Sequence, residues 1–229
     1  ASGYSSGQAI KAIGETARVP KFFLENCGAY LAAIRSIGRT EEYFYMPVFE
    51  SAAMIPPQTR REALTEVRAQ LDTVSGSILN IRVGGNDLSH AFGLRRPANR
   101  TIYDLRPVAD ILIDIVAAFG TQYVVSGPVW EYYSGEGWEE GLRREMELDL
   151  LNGFTGKTVI HPNQIPVVNE MLRVSQRDYA DARAILNWDT GSGSLVSASE
   201  DGGRMNEYNT HSRWARRIVL RAERYGVRA

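Results

Sequence analysis

The chain has 229 residues, 44% hydrophobic and 23% charged, which fits an ordinary globular protein of one large or two small domains. A net charge of -1 gives no general electrostatic reason to bind nucleic acid or an anionic membrane, and no apolar run approaches the ~20 residues of a membrane span. One cysteine, Cys27, excludes an internal disulfide and points to a reducing cytoplasm; with three histidines it leaves too few ligands for a structural zinc site. The polar start, Ala1 to Gly7, holds no apolar signal-peptide core.

Residues 8–16 read as a helix, 18–24 as a strand and 27–37 as a helix. Tyr43 to Phe49 is aromatic and β-branched, a second strand. Pro56-Pro57 leads into an amphipathic helix at 59–73, through Ala63, Leu64, Val67 and Leu71. Ser77 to Val83 is a third strand. Asp104 is placed to cap a helix at 105–119, with Pro107 in its first turn and Gly120 at its end. Tyr123 to Val125 is a fourth strand, a helix at 138–152 stops at Gly153, and Thr158 to Ile160 is a fifth strand. Helices follow at 166–173 and 176–188, the second capped by Ser175. Glycines and serines make 189–206 a loop or linker, and a last helix runs from Thr210 to Tyr225, with Trp214, Ile218, Leu220, Ala222 and Tyr225 as its docking face.

Strand and helix alternate without hairpin signals, which is the mark of parallel βαβ units. An open doubly wound sheet and part of a (β/α)8 barrel both fit five such strands. In either, ligands bind at the carboxyl ends of the strands.

Two acids stand at those ends. Glu50 follows the strand through Phe49, and Asp87 follows the strand through Val83 by way of Gly84-Gly85-Asn86. On neighbouring strands ~4.8 Å apart, both carboxylates can hold one ion, and so few protein ligands suit magnesium. The glycines before Asp87 let a ligand approach the backbone. The competing reading makes both acids helix caps. Arg82, inside a strand, needs a partner, which an anionic substrate, Glu50 or a structural ion pair supplies. His161 is either a ligand-facing group or a structural hydrogen-bonding residue of its turn. His90 reads as a capping or surface residue, Arg95-Arg96 as solvated or presented by a loop near a strand end to a phosphate or carboxylate, Trp130, Tyr132 and Tyr133 as packing, and Lys21 as a strand residue that could bind an anion inside a barrel.

In order along the chain, Val19-Pro20-Lys21, Val48-Phe49-Glu50-Ser51, Gly84-Gly85-Asn86-Asp87-Leu88 and Gly153 through Ile165 (Gly-Phe-Thr-Gly-Lys-Thr-Val-Ile-His-Pro-Asn-Gln-Ile) resemble the late-strand motifs of the citrate lyase β-subunit-like proteins, the HpcH/HpaI aldolase superfamily of TIM-barrel carbon–carbon lyases. Ser126-Gly127-Pro128-Val129-Trp130-Glu131 is similar to a divergent branch of it. The resemblance implies a (β/α)8 barrel with about strands 4–8 in this chain. It implies barrel sequence over 1–188 and a linker or lid with a C-terminal helix over 189–229, and an incomplete record of a longer chain.

The resemblance further implies Mg2+ on Glu50 and Asp87. The implied chemistry is carbon–carbon lysis of a hydroxy acid or a citryl- or malyl-CoA-like thioester through a metal-stabilised enolate. Arg82, His161, Glu207 and His211 are then the catalytic candidates, and Lys21, Gly84, Gly85, Ser126 and Gln164 the substrate-binding ones. The implied partners are a small carboxylate or acyl-CoA substrate and further copies of the chain, a trimer or other homo-oligomer, with neither nucleic acid nor membrane. Asn206 stands where the family carries an aspartate, in Gly203-Arg204-Met205-Asn206. An asparagine is neither acid nor base at neutral pH. Two readings therefore stand beside the lyase: a non-catalytic barrel homologue that binds a ligand, and an acyl-CoA thioesterase on the same scaffold.

Overall fold

The structure, a computed structural model, describes residues 44–188, 196–199 and 202–228. The predicted elements at 8–16, 18–24 and 27–37, together with Lys21 and Cys27, lie outside the described residues.

Four strands, β1 (Val48–Phe49), β2 (Ile81–Val83), β3 (Val125–Gly127) and β4 (Gly156–Lys157), form one sheet in the order β1-β2-β3-β4. Every pairing is parallel, with Val48 opposite Arg82, Arg82 opposite Ser126 and Ser126 opposite Gly156. The helices α1 (Pro57–Asp72), α2 (Gly85–Ala91), α3 (Arg106–Phe119) and α4 (Trp138–Leu151) occupy the connections. This is the βαβ alternation read from the sequence, because a parallel crossover needs a covering helix.

Side chains alternate across a strand. Phe49, Ile81, Val83 and Val125 point to one face and join Leu64, Leu71, Ile111, Leu112, Ile115 and Phe119 in a buried core. Burying a leucine or isoleucine is worth about 1.5–3 kcal/mol, so this face fixes the register. Val48, Arg82 and Ser126, paired in register, are left on the opposite face, with Asn80, Gly84 and Thr158 two residues along.

Several boundaries moved. The fourth strand was expected over 123–125 and pairs over 125–127; the fifth was expected over 158–160 and pairs over 156–157. Both expectations followed apolar content, yet Val159 and Ile160 are 37% and 54% exposed, and the ladder closes on Gly156 and Lys157 instead. Asp104 does not cap α3. Its carboxylate accepts the Thr101 N–H at 2.7 Å in a tight turn before the helix, and that backbone bond holds its pKa below the usual range. Gly153 does stop α4. With φ at +95° it lets Phe154 N–H reach the Asp149 carbonyl at 2.9 Å and its own N–H reach that of Leu150 at 3.3 Å, a Schellman closure.

The chain forms two compact units divided after Gln164. The sequence boundary at 188 marks a change in composition, whereas this one marks where contacts thin. The helix α5 (Gln164–Met171) starts at the division. The second unit holds β5 (Val174–Ser175), α6 (Gln176–Leu186), the antiparallel pair β6 (Val196–Ala198) and β7 (Met205–Glu207), α7 (Tyr208–Tyr225) and β8 (Val227–Arg228), which pairs with β5. Ser175 caps α6 as expected, accepting the Asp178 N–H at 3.1 Å. The expected loop at 189–206 is corrected in part: Val196–Ala198 pairs antiparallel with Met205–Glu207, Ser197 opposite Asn206, while 189–195 lie outside the described residues. Ala215, Ile218 and Ala222 form the buried seam of α7, while Leu220, expected on that face, is 65% exposed.

Candidate active site

The sheet face away from the helices is polar at its carboxyl end, where Glu50, Gly84 and Asp87 meet. A β-carbon added to Gly84 would lie 2.5 Å from Glu50 Cβ, 2.6 Å from Glu50 Oε2 and 3.2 Å from Asp87 Oδ2. The two carboxylates therefore face one point, and the missing side chain of Gly84 keeps it open. Two carboxylates converging on a small open space fit a hard cation that takes its remaining ligands from water and substrate. Among the described residues no group of three or more metal-ligating side chains occurs. Asp87 belongs to the first turn of α2 and is exposed there. Gly84→Ala is expected to weaken magnesium binding about tenfold or more and to lower the melting temperature, because the new methyl meets both the Glu50 carboxylate and Glu50 Cβ, which is fixed to its strand. Titration calorimetry beside a thermal melt checks this. The other glycine, Gly85, serves packing: its open side is filled by Ile102 Cδ1 at 2.6 Å and Pro128 Cβ at 2.7 Å.

Further along the same face, Asn80 Nδ2 donates to Ser126 Oγ at 2.9 Å, and Arg82 Nε donates to Thr158 Oγ1 at 3.4 Å. Arg82 thus crosses β3 to reach the end of β4. Gly156 makes room beside Ser126: a β-carbon there would stand 3.1 Å from Ser126 Oγ.

Behind the sheet lies a buried charge network. Lys157 Nζ donates to Glu145 Oε1 at 2.8 Å and to Asp149 Oδ2 at 2.7 Å, with all three side chains at or below 1% exposure. Arg96 Nε stands 2.9 Å from Glu145 Oε2, Tyr103 Oη donates to Asp149 Oδ1 at 2.7 Å, and the Ile102 N–H donates to Glu145 Oε2 at 2.8 Å. Burial raises the Asp149 pKa against the opposing pull of Lys157, and burial with the nearby Asp149 pushes the Tyr103 phenol up, keeping it a donor. Arg96 was expected in solvent. It is 1% exposed and lies over the Trp130 ring at 5.2 Å, while Arg95 stays outside and pairs with Glu131 at 2.8 Å.

Gln164 is spent on backbone. Its Nε2 donates to the Trp130 carbonyl at 2.9 Å and the Tyr132 carbonyl at 2.8 Å, and its Oε1 accepts the Ile160 N–H at 3.0 Å. It ties the loop after β3 to the loop after β4. His161 Nδ1 accepts the Asn163 N–H at 3.1 Å and its ring stacks on Tyr133 with centroids 4.3 Å apart. That leaves Nε2 as the proton-bearing nitrogen of the neutral ring. His90 is exposed in the last turn of α2.

Glu207 and His211 lie in the second unit, where His211 Nδ1 accepts the Glu207 N–H at 3.0 Å. Asn206 is buried and donates from Nδ2 to Asp181 Oδ1 at 3.0 Å; Arg204 holds the other oxygen of Asp181 and also meets Asp178 at 2.9 Å. Thr158, Asn80, Lys157, Glu145 and Asp149 escaped the sequence reading. Only the alternation on β4 carried a signal, placing Thr158 on the face of Gly156, and the observed register was needed to use it.

Residues 7–227 match the family described as C-C bond lyase of the TIM-barrel fold, and the chain belongs to that family. It is 38% identical over 74 residues to the L-malyl-CoA/beta-methylmalyl-CoA lyase of Cereibacter sphaeroides, a stretch covering 31% of this chain and 22% of that enzyme. The crystal structure of CitE from Mycobacterium tuberculosis, in complex with magnesium, acetoacetate and coenzyme A, superposes with a TM-score of 0.53 at 25% identity, covering 79% of this chain and 61% of that one. A citrate lyase from Burkholderia xenovorans shares the fold, with a TM-score of 0.52 at 14% identity, covering 83% of this chain and 66% of the other. The chain thus spans less than two thirds of the length of each of these relatives. Among the described residues no helix is long and apolar enough to cross a membrane.

Proposed function

We propose that this chain carries the metal-binding end of a magnesium-dependent carbon–carbon lyase acting on a hydroxy acid or hydroxyacyl-CoA thioester. The observation that carries the reading is the convergence of Glu50 and Asp87 on the space left by Gly84. Its support from outside the chain is a family of carbon–carbon lyases and a structural neighbour crystallised with magnesium and coenzyme A. Magnesium, when bound, supplies Lewis-acid stabilisation for the oxyanion that develops as the bond beside a carbonyl breaks. Glu50 and Asp87 hold it. Ser126, set by Asn80, lines the adjoining strand and offers its hydroxyl to substrate. A base takes the substrate hydroxyl proton, and an acid returns one to the departing carbon. His161, with its proton on Nε2, is the group proposed in this unit.

The proposed organisation keeps barrel sequence to 188 and a C-terminal extension after it. Homo-oligomers formed through α7, where Leu220 is exposed, and a cytoplasmic setting complete the reading.

Incubation with magnesium and a panel including citryl- and malyl-CoA tests it. The expected result is a shortened acyl-CoA with release of an oxo acid, abolished by chelation. Free coenzyme A without carbon–carbon cleavage marks the thioesterase instead. Binding without turnover marks the accessory homologue, which Asn206, tied to Asp181, favours.

A further inference from the structure

We infer that Arg82 is a substrate-carboxylate ligand, held in place by Thr158, and that it selects ligands with a second carboxylate beyond the group at the acidic pair. The inference rests on the proposed metal reading and adds to it the shape of the ligand. Arg82 is partly buried on the polar face of the sheet, and among the described residues its guanidinium meets the Thr158 hydroxyl and no carboxylate. By contrast, Arg60 meets Asp114, Arg96 meets Glu145, and Arg204 meets Asp181. A guanidinium set into a sheet face without a counter-charge is costly, and an anionic ligand offsets that cost.

The surroundings leave room for such a ligand. Gly84 follows Arg82 on the same face, and Gly156 stands two strands across at its level. No side chain at these two positions covers the guanidinium. Thr158 engages Nε and leaves the paired terminal N–H groups, the fork that grips a carboxylate with two bonds.

The span sets the ligand's length. The acidic pair lies over β1 and β2, while Arg82 crosses towards β4, two strand spacings or roughly 10 Å away. Metal–oxygen contact takes about 2.1 Å of that and a charge-assisted hydrogen bond about 2.8 Å, so the ligand's outer oxygens stand about 5 Å apart. A four-carbon dicarboxylate spans this, and a three-carbon monocarboxylate does not.

The test compares malate with lactate, the same 2-hydroxy acid without the distal carboxylate, by calorimetry in saturating magnesium. The unaltered chain is expected to prefer malate by about tenfold or more, and Arg82→Met to lose that preference while binding lactate as before. Thr158→Val, which keeps the side-chain volume, is expected to lose about half of the preference on a logarithmic scale. It serves as the second variant should Arg82→Met fold poorly. Normal magnesium binding with equal affinities for the two acids, or an undiminished preference in Arg82→Met, overturns the inference alone. Failure of the unaltered chain to bind magnesium sinks the metal reading together with it.

Discussion

Asp87→Asn is expected to abolish magnesium binding at millimolar concentrations, and any lyase turnover with it. The amide keeps the size of the side chain, so the first turn of α2 has no steric reason to change. What is lost is one of the two charges facing the space at Gly84. Even an outer partner of a metal ligand typically contributes 10–100-fold to affinity, and a direct carboxylate in so sparse a site contributes more. Glu50→Gln is expected to behave in the same way, since the two oxygens face a common point. The measurement is magnesium calorimetry on the folded variants, read beside turnover. Unchanged affinity in both removes the metal assignment; neither acid is a helix cap, since Ser51 caps the turn after β1 and Gly84 is the N-cap position of α2.

Lys157→Met is expected to be the most destabilising single change in the first unit. It leaves Glu145 and Asp149 buried without the cation they share. Removing one partner from a buried ionic group typically costs about 3–5 kcal/mol. For a chain of this size that lowers the melting temperature by roughly 10 °C or more. The deficit should carry a pH signature with a definite sign. Asp149 already has a raised pKa through burial, and loss of Lys157 removes the charge that opposes the rise. A carboxyl group whose folded pKa exceeds its unfolded value favours the folded state increasingly as pH falls from the raised value towards about 4. The unaltered protein gains in the same way below its own raised value, so the variant's deficit should shrink between the two raised values and stay constant below them. Thermal melts of both proteins over a pH series check it, and a constant deficit would mean that Asp149 is not the group left exposed to the loss.

The two expectations differ in how visible their residues are from sequence. Glu50 and Asp87 each follow a strand directly, so local pattern puts them at carboxyl ends, and adjacency of the strands does the rest. Lys157 looked like part of a motif and nothing more. Its partners lie 12 and 8 residues back on α4, and Glu145, which pairs with Arg96, is 49 residues from it, so solvated and buried arginines read alike at positions 95 and 96. The strand boundaries failed for a related reason. Apolar content marked Val159 and Ile160, but pairing depends on which backbone groups the neighbouring strand offers, and β3 offers Ser126 and Gly127 to Gly156 and Lys157. The antiparallel pair of Val196–Ala198 and Met205–Glu207 was hidden by the surrounding serines and glycines, which read as a linker until Ser197 and Asn206 are seen opposite one another.

The sequence by itself determined the alternation of strand and helix, the stop at Gly153 and the two acids at strand ends, because each is written within a few residues by period, capping chemistry and backbone freedom. Only the tertiary structure decided that Gly84 leaves the space both acids face, that Arg82 turns to Thr158 while Arg96 and Lys157 are neutralised behind the sheet, and that Asn206 is tied to Asp181. Those outcomes depend on which charge meets which across many residues of chain. In a low-dielectric interior the pairing of a charge decides whether it can be buried at all, and no local pattern carries that information.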